Sequence, residues 1–135
     1  MNSKARNRFE ESDVGVLATV NDDGSPHLVP ITFALTENTL VTGVDHKPKR
    51  TPSLKRLANI RRNPRVSVLV QHYAPDWSTL WWARADGTAT LIEPDDRRHR
   101  VPAELLAKRY EQYRDSPIRG HIIEIEIERW SEWSS

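Results

Sequence analysis

Runs of β-forming residues bounded by turn signals mark the strands, and in the last of them apolar and polar positions alternate strictly. Residues 14–20 (VGVLATV) are β-rich, and Asn21-Asp22-Asp23-Gly24-Ser25 supplies a turn after them. Residues 26–35 (PHLVPITFAL) form the expected returning strand. Pro30 has no N–H to give a ladder, so it predicts a bulge or an unpaired edge position there. A second turn at Thr36-Glu37-Asn38 leads into a third strand at 39–44 (TLVTGV). Residues 65–73 (RVSVLVQHY) read as a fourth strand, apolar on both faces at its centre and therefore interior. Residues 80–85 (LWWARA) and 88–93 (TATLIE) predict a hairpin around Asp86-Gly87. In the last strand, 120–130, Ile123, Ile125 and Ile127 alternate with Glu124, Glu126 and Glu128, so one face packs and the other is wet.

Helical spacing interrupts this pattern in three places. Residues 3–12 predict a short leading helix that carries Phe9. Thr51 reads as an N-cap with Pro52 at the first helical position, and Asn63-Pro64 ends that helix. Leu54, Leu57, Ala58 and Ile60 fall on one face of it, while Lys55, Arg56, Asn59 and Arg62 fall largely on the other. Residues 95–113 predict a helix divided by Pro102, with Leu106, Tyr110 and Tyr113 as its buried stripe. The expectation is mostly β with minor α: about six or seven antiparallel strands, a short helix between the third and fourth, and a helix before the last. Short loops and the absence of repeats make residues 1–135 a single domain. A small antiparallel protein must hide its sheet edges, which favours a closed or nearly closed barrel.

Composition narrows the chemistry. There are no cysteines, which excludes disulfides, thiolate catalysis and Cys-ligated metals. No apolar run approaches the roughly 20 residues of a membrane span, and MNSKARNRFEES has no apolar signal core, so a cytoplasmic protein without membrane partners is expected. Charge is the informative feature. Residues 44–65 hold eight of the twenty Lys and Arg and one acid, Asp45. That segment is +7 in a chain of +1, so the rest is −6. A basic focus in an acidic body points to an anionic partner, with a plain solvated surface as the alternative. The five tryptophans fall late, at Trp77, Trp81, Trp82, Trp130 and Trp133, and suggest an interface or a planar-ligand site.

These stretches together resemble a known family. GVLATVNDDGSPHLVPITF, KRLANIRRNPRVSVLV, DWSTLWWARADGTA and IEIERWSEW are similar to the pyridoxamine-phosphate-oxidase-like split β-barrel proteins, in the actinobacterial branch that uses the deazaflavin coenzyme F420. The resemblance covers nearly the whole chain. It implies an FMN-binding-like split barrel, a homodimer with two cofactor sites at its interface, and an F420-dependent oxidoreductase whose substrate is a small molecule. It implies that Lys55 or Arg56 contacts the cofactor phosphate and that Pro30, Ile31 and Thr32 line the ring. Val44 and Asp45 would lie beside the ring's polar side, and Trp77, Trp81 and Trp82 would come from the second subunit. Lys47, Lys49 and Arg50 would face the phosphate and the anionic polyglutamate tail of the deazaflavin. This basic approach, DHKPKRTPS, is longer than the family pattern and leaves the primary phosphate ligand open.

The residues suit that chemistry. A helix start with flanking cations favours an anion, and Arg56 offers a bidentate fork where Lys55 offers a point charge. A flavin or deazaflavin brings its own hydride chemistry, so no side-chain catalytic constellation is required, and the sequence shows none. FMN is the alternative cofactor, with oxidase chemistry. A non-catalytic carrier of a flavin, a deazaflavin or haem is the alternative function. A nucleic-acid-binding barrel is opposed by the near-neutral net charge and the acidic last strand. His27, His46, His72, His99 and His121 have no metal-ligand spacing and read as ordinary polar residues, so no metal site is expected. Asp22-Asp23-Gly24 lacks the remaining positions of a calcium loop. His72 and Tyr73, at a strand end, are candidate proton donors to substrate.

Overall fold

The computed structural model describes residues 3–44 and 52–135. Among them, seven strands form one sheet: β1 (Gly15–Val20), β2 (Pro26–Ile31), β3 (Ala34–Thr36), β4 (Thr39–Gly43), β5 (Arg65–His72), β6 (Trp81–Ile92) and β7 (Ile122–Ser134). Their order is β2-β1-β5-β6-β7-β4-β3, with every pair antiparallel. The two outermost strands, β2 and β3, are consecutive in the chain and only Thr32 and Phe33 separate them. The sheet must therefore curl until its edges meet, which produces the mostly-β split barrel that was expected. The helices are α1 (Ser3–Glu10), α2 (Pro52–Arg62) between β4 and β5, and α3 (Arg100–Arg109) and α4 (Glu111–Asp115) before β7.

Inward-facing residues fill the barrel. Leu17, Phe33, Val66, Val68, Val70, Ala83, Ala85, Ile123 and Ile125 form one buried cluster. Helix α1 adds Ala5 and Phe9 to it, and α2 adds Leu57 and Ile60. Phe9 packs edge-on against Phe33 and Trp130, at 5.6 and 5.3 Å between centroids. A second cluster sits where α3 covers the β3–β4 corner through Leu106, Val41, Ile92 and Ile118. Pro30 is on an edge strand, as its missing donor requires.

Several boundaries differ from the sequence expectation. Residues 26–35 are two strands, bent at Thr32 and Phe33 where the barrel closes. Residues 80–93 are not a hairpin. Asp86 and Gly87 lie inside the continuous strand β6, which is paired along its length with both β5 and β7, so the backbone there has no need of a turn. The irregularity the dipeptide introduces is a bulge: the β6–β7 register passes from Asp86↔Arg129 to Gly87↔Ile127. The bulge shifts the parity of β7, so Trp130 rather than Arg129 turns toward Phe9. Pro102 sits in the first turn of α3, where a missing N–H costs nothing, and the break comes at Tyr110 instead. In α2, Ala58 is exposed and Asn59, expected on the polar face, is 2% exposed. Its amide donates to Thr19 Oγ1 at 3.0 Å and to Asn21 Oδ1 at 2.9 Å, which satisfies it in the interior. The expected Thr51 cap lies outside the described residues.

One pH effect follows from a cap. Asp96 accepts from the Arg98 N–H at 2.8 Å and pairs with its guanidinium at 2.9 Å, and these bonds hold its carboxyl down at about 2. That is below the ordinary 3.8, so the contribution is complete above pH ~4 and is lost as pH falls toward 2. Thermal melts of wild type and Asp96→Asn should differ at pH 5 and converge near pH 2. A constant gap across that range would contradict the assignment.

Candidate functional site

The cross-strand register builds a continuous outer face on half of the barrel. Pro30 lies opposite Val16, Val16 opposite Leu69, and Leu69 opposite Arg84. The next row runs Leu28, Ala18, Ser67, Asp86. At the far end, Gln71 faces Trp82 and Trp82 faces Trp133. An outward face on a soluble barrel is ordinarily polar. This one carries Leu28 65% exposed, with Val16, Ala18, Leu69 and Trp82 only partly covered. Two depressions lie on it. One, of about 270 Å³, is lined by Leu69, Gln71, Tyr73, Trp82 and Arg84. The other, of about 520 Å³, runs along Ala18, Pro26, Arg65, Ser67, Asp86 and Arg129. Between them Asp86 accepts from Ser67 Oγ and, at 3.1 Å, from Arg84 Nε, whose guanidinium also lies over the Trp82 ring at 5.7 Å.

Edge strand β2 also borders a basic corner. Asn59 fixes α2 against β1 through Thr19, and Thr19 is the cross-strand neighbour of His27. Lys55 and Arg56 are one turn earlier on the same helix. Burial, and then the charges of Lys55 and Arg56, hold the His27 imidazole below its usual range. Its Nδ1 is shut off from solvent and has no hydrogen-bond partner among the described residues. In the adjoining turn Asp23 is held below the usual carboxylate range, first by the Ser25 hydroxyl and backbone N–H, with Lys55 adding to the effect.

The sequence candidates divide among three places. Pro30 and Trp82 are on the outer face, the first exposed and the second half-buried. Lys55, exposed, and Arg56, half-buried, are at the basic corner. Thr32 and Val44 are near the barrel's closure. Thr32 Oγ1 lies 2.8 Å from Tyr113 Oη, and its carbonyl accepts from Thr42 Oγ1 at 2.7 Å. Val44 is buried and donates its N–H to His121 O at 2.8 Å. Ile31 is 5% exposed with its side chain in the core, so it presents only backbone outward. Trp77 is 75% exposed on the 3₁₀ turn Trp77–Thr79 and apart from the two depressions. Asp45, Lys47, Lys49 and Arg50 lie outside the described residues. Of the candidate proton donors, Tyr73 lines the smaller depression and His72 stacks on Trp81 with centroids 6.3 Å apart. No group of three or more potential metal ligands occurs among the described residues. No described helix is long and apolar enough to cross a membrane.

The sequence reading of His27 is that of an ordinary polar residue, and it takes no account of the outer face of β1. The signal for the second was present: residues 14–20 are apolar at successive positions, which a strand with one wet face does not require.

Comparison with known proteins gives this geometry a context. The fold matches an FAD-binding protein from Mesorhizobium loti at 22% identity, over 98% of this chain and 93% of that one, with a TM-score of 0.75. It matches the haem storage protein HutZ from Vibrio cholerae at 16% identity, over 98% and 93% of the two chains, with a TM-score of 0.74. A Listeria innocua protein provisionally described as a pyridoxamine 5'-phosphate oxidase is 25% identical over 98% of both chains, with a TM-score of 0.70. The pyridoxamine 5'-phosphate oxidase family pattern matches residues 1–134, so the chain belongs to that family.

Proposed function

We propose that the protein is an F420-dependent oxidoreductase that works as a homodimer, reducing an unsaturated small molecule at a site between two copies. The observation that carries this reading is the meeting, at edge strand β2, of an apolar sheet face with a corner bearing Lys55 and Arg56. The face offers a planar ring a surface of Pro30, Leu69 and Trp82. The corner offers the phosphate a positive field. The chain therefore fits a ring-plus-phosphate cofactor in its own residues. Lys47, Lys49 and Arg50, next to this corner in sequence, extend the positive charge and favour a coenzyme with a longer anionic tail over FMN.

A reduced F420 held at this face would supply the hydride chemistry, and Tyr73, or solvent, would supply the proton that a two-electron reduction needs. The protein's part is to bind, orient and exclude water. The apolar outer face, covered by a second copy, removes solvent from the ring. Lys55 and Arg56 fix the phosphate, and Tyr73 holds a proton at the rim of the smaller depression.

Titrating the protein with F420 and, separately, with FMN while following tryptophan fluorescence tests the cofactor. Binding of FMN with none of F420 would overturn the assignment. Lys55→Ala with Arg56→Ala together should weaken F420 binding on the order of 100-fold, the loss of charge-assisted hydrogen bonds to a phosphate. Unchanged affinity would move the anion elsewhere. Light scattering should give a dimer mass; a monomer would remove the interface site.

A further inference from the structure

We infer that His27 is a third member of the anion subsite, beside Lys55 and Arg56, and that it takes up a proton when a phosphate-bearing ligand binds there. The class of ligand rests on the proposed function; the proton uptake does not depend on which cofactor is used.

The geometry comes from the pairing of α2 with the first hairpin. His27 lies on the inward side of β2 opposite Thr19, and Asn59 reaches Thr19 Oγ1 at 3.0 Å. Lys55 and Arg56 precede Asn59 by four and three residues, so they share its side of the helix. The charged and polar groups around the imidazole come from three elements. Strand β1 contributes neutral Thr19. Helix α2 contributes Lys55, Arg56 and, farther along, Arg62. The turn contributes Asp22 and Asp23. Neither acid serves His27: Asp22 faces Arg62 at 3.6 Å, and Asp23 is engaged by the Ser25 hydroxyl at 2.6 Å. Arg62 is further bound to Val20 O at 2.8 Å.

A buried ring nitrogen without a partner is uncommon in a folded protein and calls for an explanation. An anion arriving between Lys55 and Arg56 provides one. Free, the imidazole is kept neutral by burial and by two cations. A phosphate neutralises those cations and stabilises the imidazolium. The bound state then holds one more proton than the free state at any pH between the two titrations. Affinity therefore rises as pH falls through that window, by at most about tenfold per pH unit for a single proton. It levels off below the free titration.

The test uses the full-length protein. His27 ring resonances are followed against pH by NMR, free and with F420, FMN or inorganic pyrophosphate. Proton uptake is measured by calorimetry at pH 7 in buffers of different ionisation enthalpy, for wild type and His27→Gln. The expected result is an upward move of the His27 titration on binding, and close to one proton more taken up by wild type than by His27→Gln. Comparing the two proteins cancels the titration of each ligand's own phosphate. Affinity should fall about tenfold in the variant at pH 6 and less at pH 8. The NMR arm needs no variant, so a folding defect in His27→Gln leaves the test intact. Binding of F420 with the His27 titration unmoved would overturn the inference and leave the proposed function standing; binding of FMN alone with the titration unmoved would overturn both. If neither cofactor binds but pyrophosphate moves the His27 titration, the proposed function falls and the anion subsite stands. No binding by all three would overturn both.

Discussion

Gly87→Ala is expected to destabilise the protein by about 3 kcal/mol, at the upper end of what overpacking usually costs. A Cβ at this position would stand 2.1 Å from the carbonyl oxygen of Glu126 and 2.9 Å from its carbon. Both are backbone atoms of β7, so relief requires the two strands to separate. Strand β6 is the middle strand of the seven, paired with β5 and β7 alike, and it cannot drift toward one neighbour without breaking from the other. The bulge beside Gly87 also sets which face of β7 meets Phe9 and which meets solvent. Gly43→Ala is the informative control. The three atoms nearest to a Cβ there all belong to the Ile118 side chain, at 2.6 to 3.0 Å, and a side chain can give way by repacking where backbone cannot. It should cost about 1 kcal/mol. Calorimetric melts of the two variants against wild type check this. Equal shifts would mean that β6 and β7 part more easily than a central strand pair should.

The same residues show what was legible in the sequence. Asp86-Gly87 between apolar runs is a strong hairpin signal, and the hairpin it predicts is absent because both residues lie inside β6. What decided between turn and bulge was the presence of pairing partners on both sides, which no local pattern contains. Strand number came out right although one expected strand divides at Thr32 and Phe33 and two others fuse. The alternation of Ile123, Ile125 and Ile127 was read directly, because period two depends only on neighbouring residues. Asn59 was misplaced because helical spacing sorts by polarity, while Thr19 and Asn21 made a polar interior position satisfiable from 38 or more residues away. The concentration of charge pointed to Lys55 and Arg56. The placement of His27 beside them comes from hairpin register and helix docking, and a lone histidine in sequence carries no sign of it.

Arg109→Ala is expected to cost about 3 kcal/mol, because one guanidinium closes a junction built from three parts of the chain. Its two terminal nitrogens donate to the carbonyls of Phe33 at 2.9 Å, Phe9 at 3.2 Å, Glu10 at 3.4 Å and Ser12. Phe9 and Glu10 end α1, where carbonyls lack intrahelical donors and the helix dipole is negative, so a cation there caps the helix. Phe33 sits at the bend between β2 and β3, and the guanidinium also lies over its ring at 4.6 Å. Lysine cannot replace this planar fork, so Arg109→Lys should recover less than half of the loss. Tyr110 keeps part of the junction in either variant. Its hydroxyl accepts from the Phe33 N–H at 3.1 Å and lies 2.9 Å from the carbonyls of Phe33 and Asp13, able to donate to one of them. Opening should therefore begin at α1, with amide exchange across Ser3–Glu10 accelerating before the barrel strands exchange. Uniform acceleration across β5 and β6 as well would show instead that α1 and the barrel unfold together. The bend also carries Thr32, whose hydroxyl meets Tyr113 at 2.8 Å. If Thr32 lines the cofactor ring, loosening this junction should weaken F420 binding in Arg109→Ala even where the protein remains folded; unchanged affinity under those conditions would separate the bend from the site.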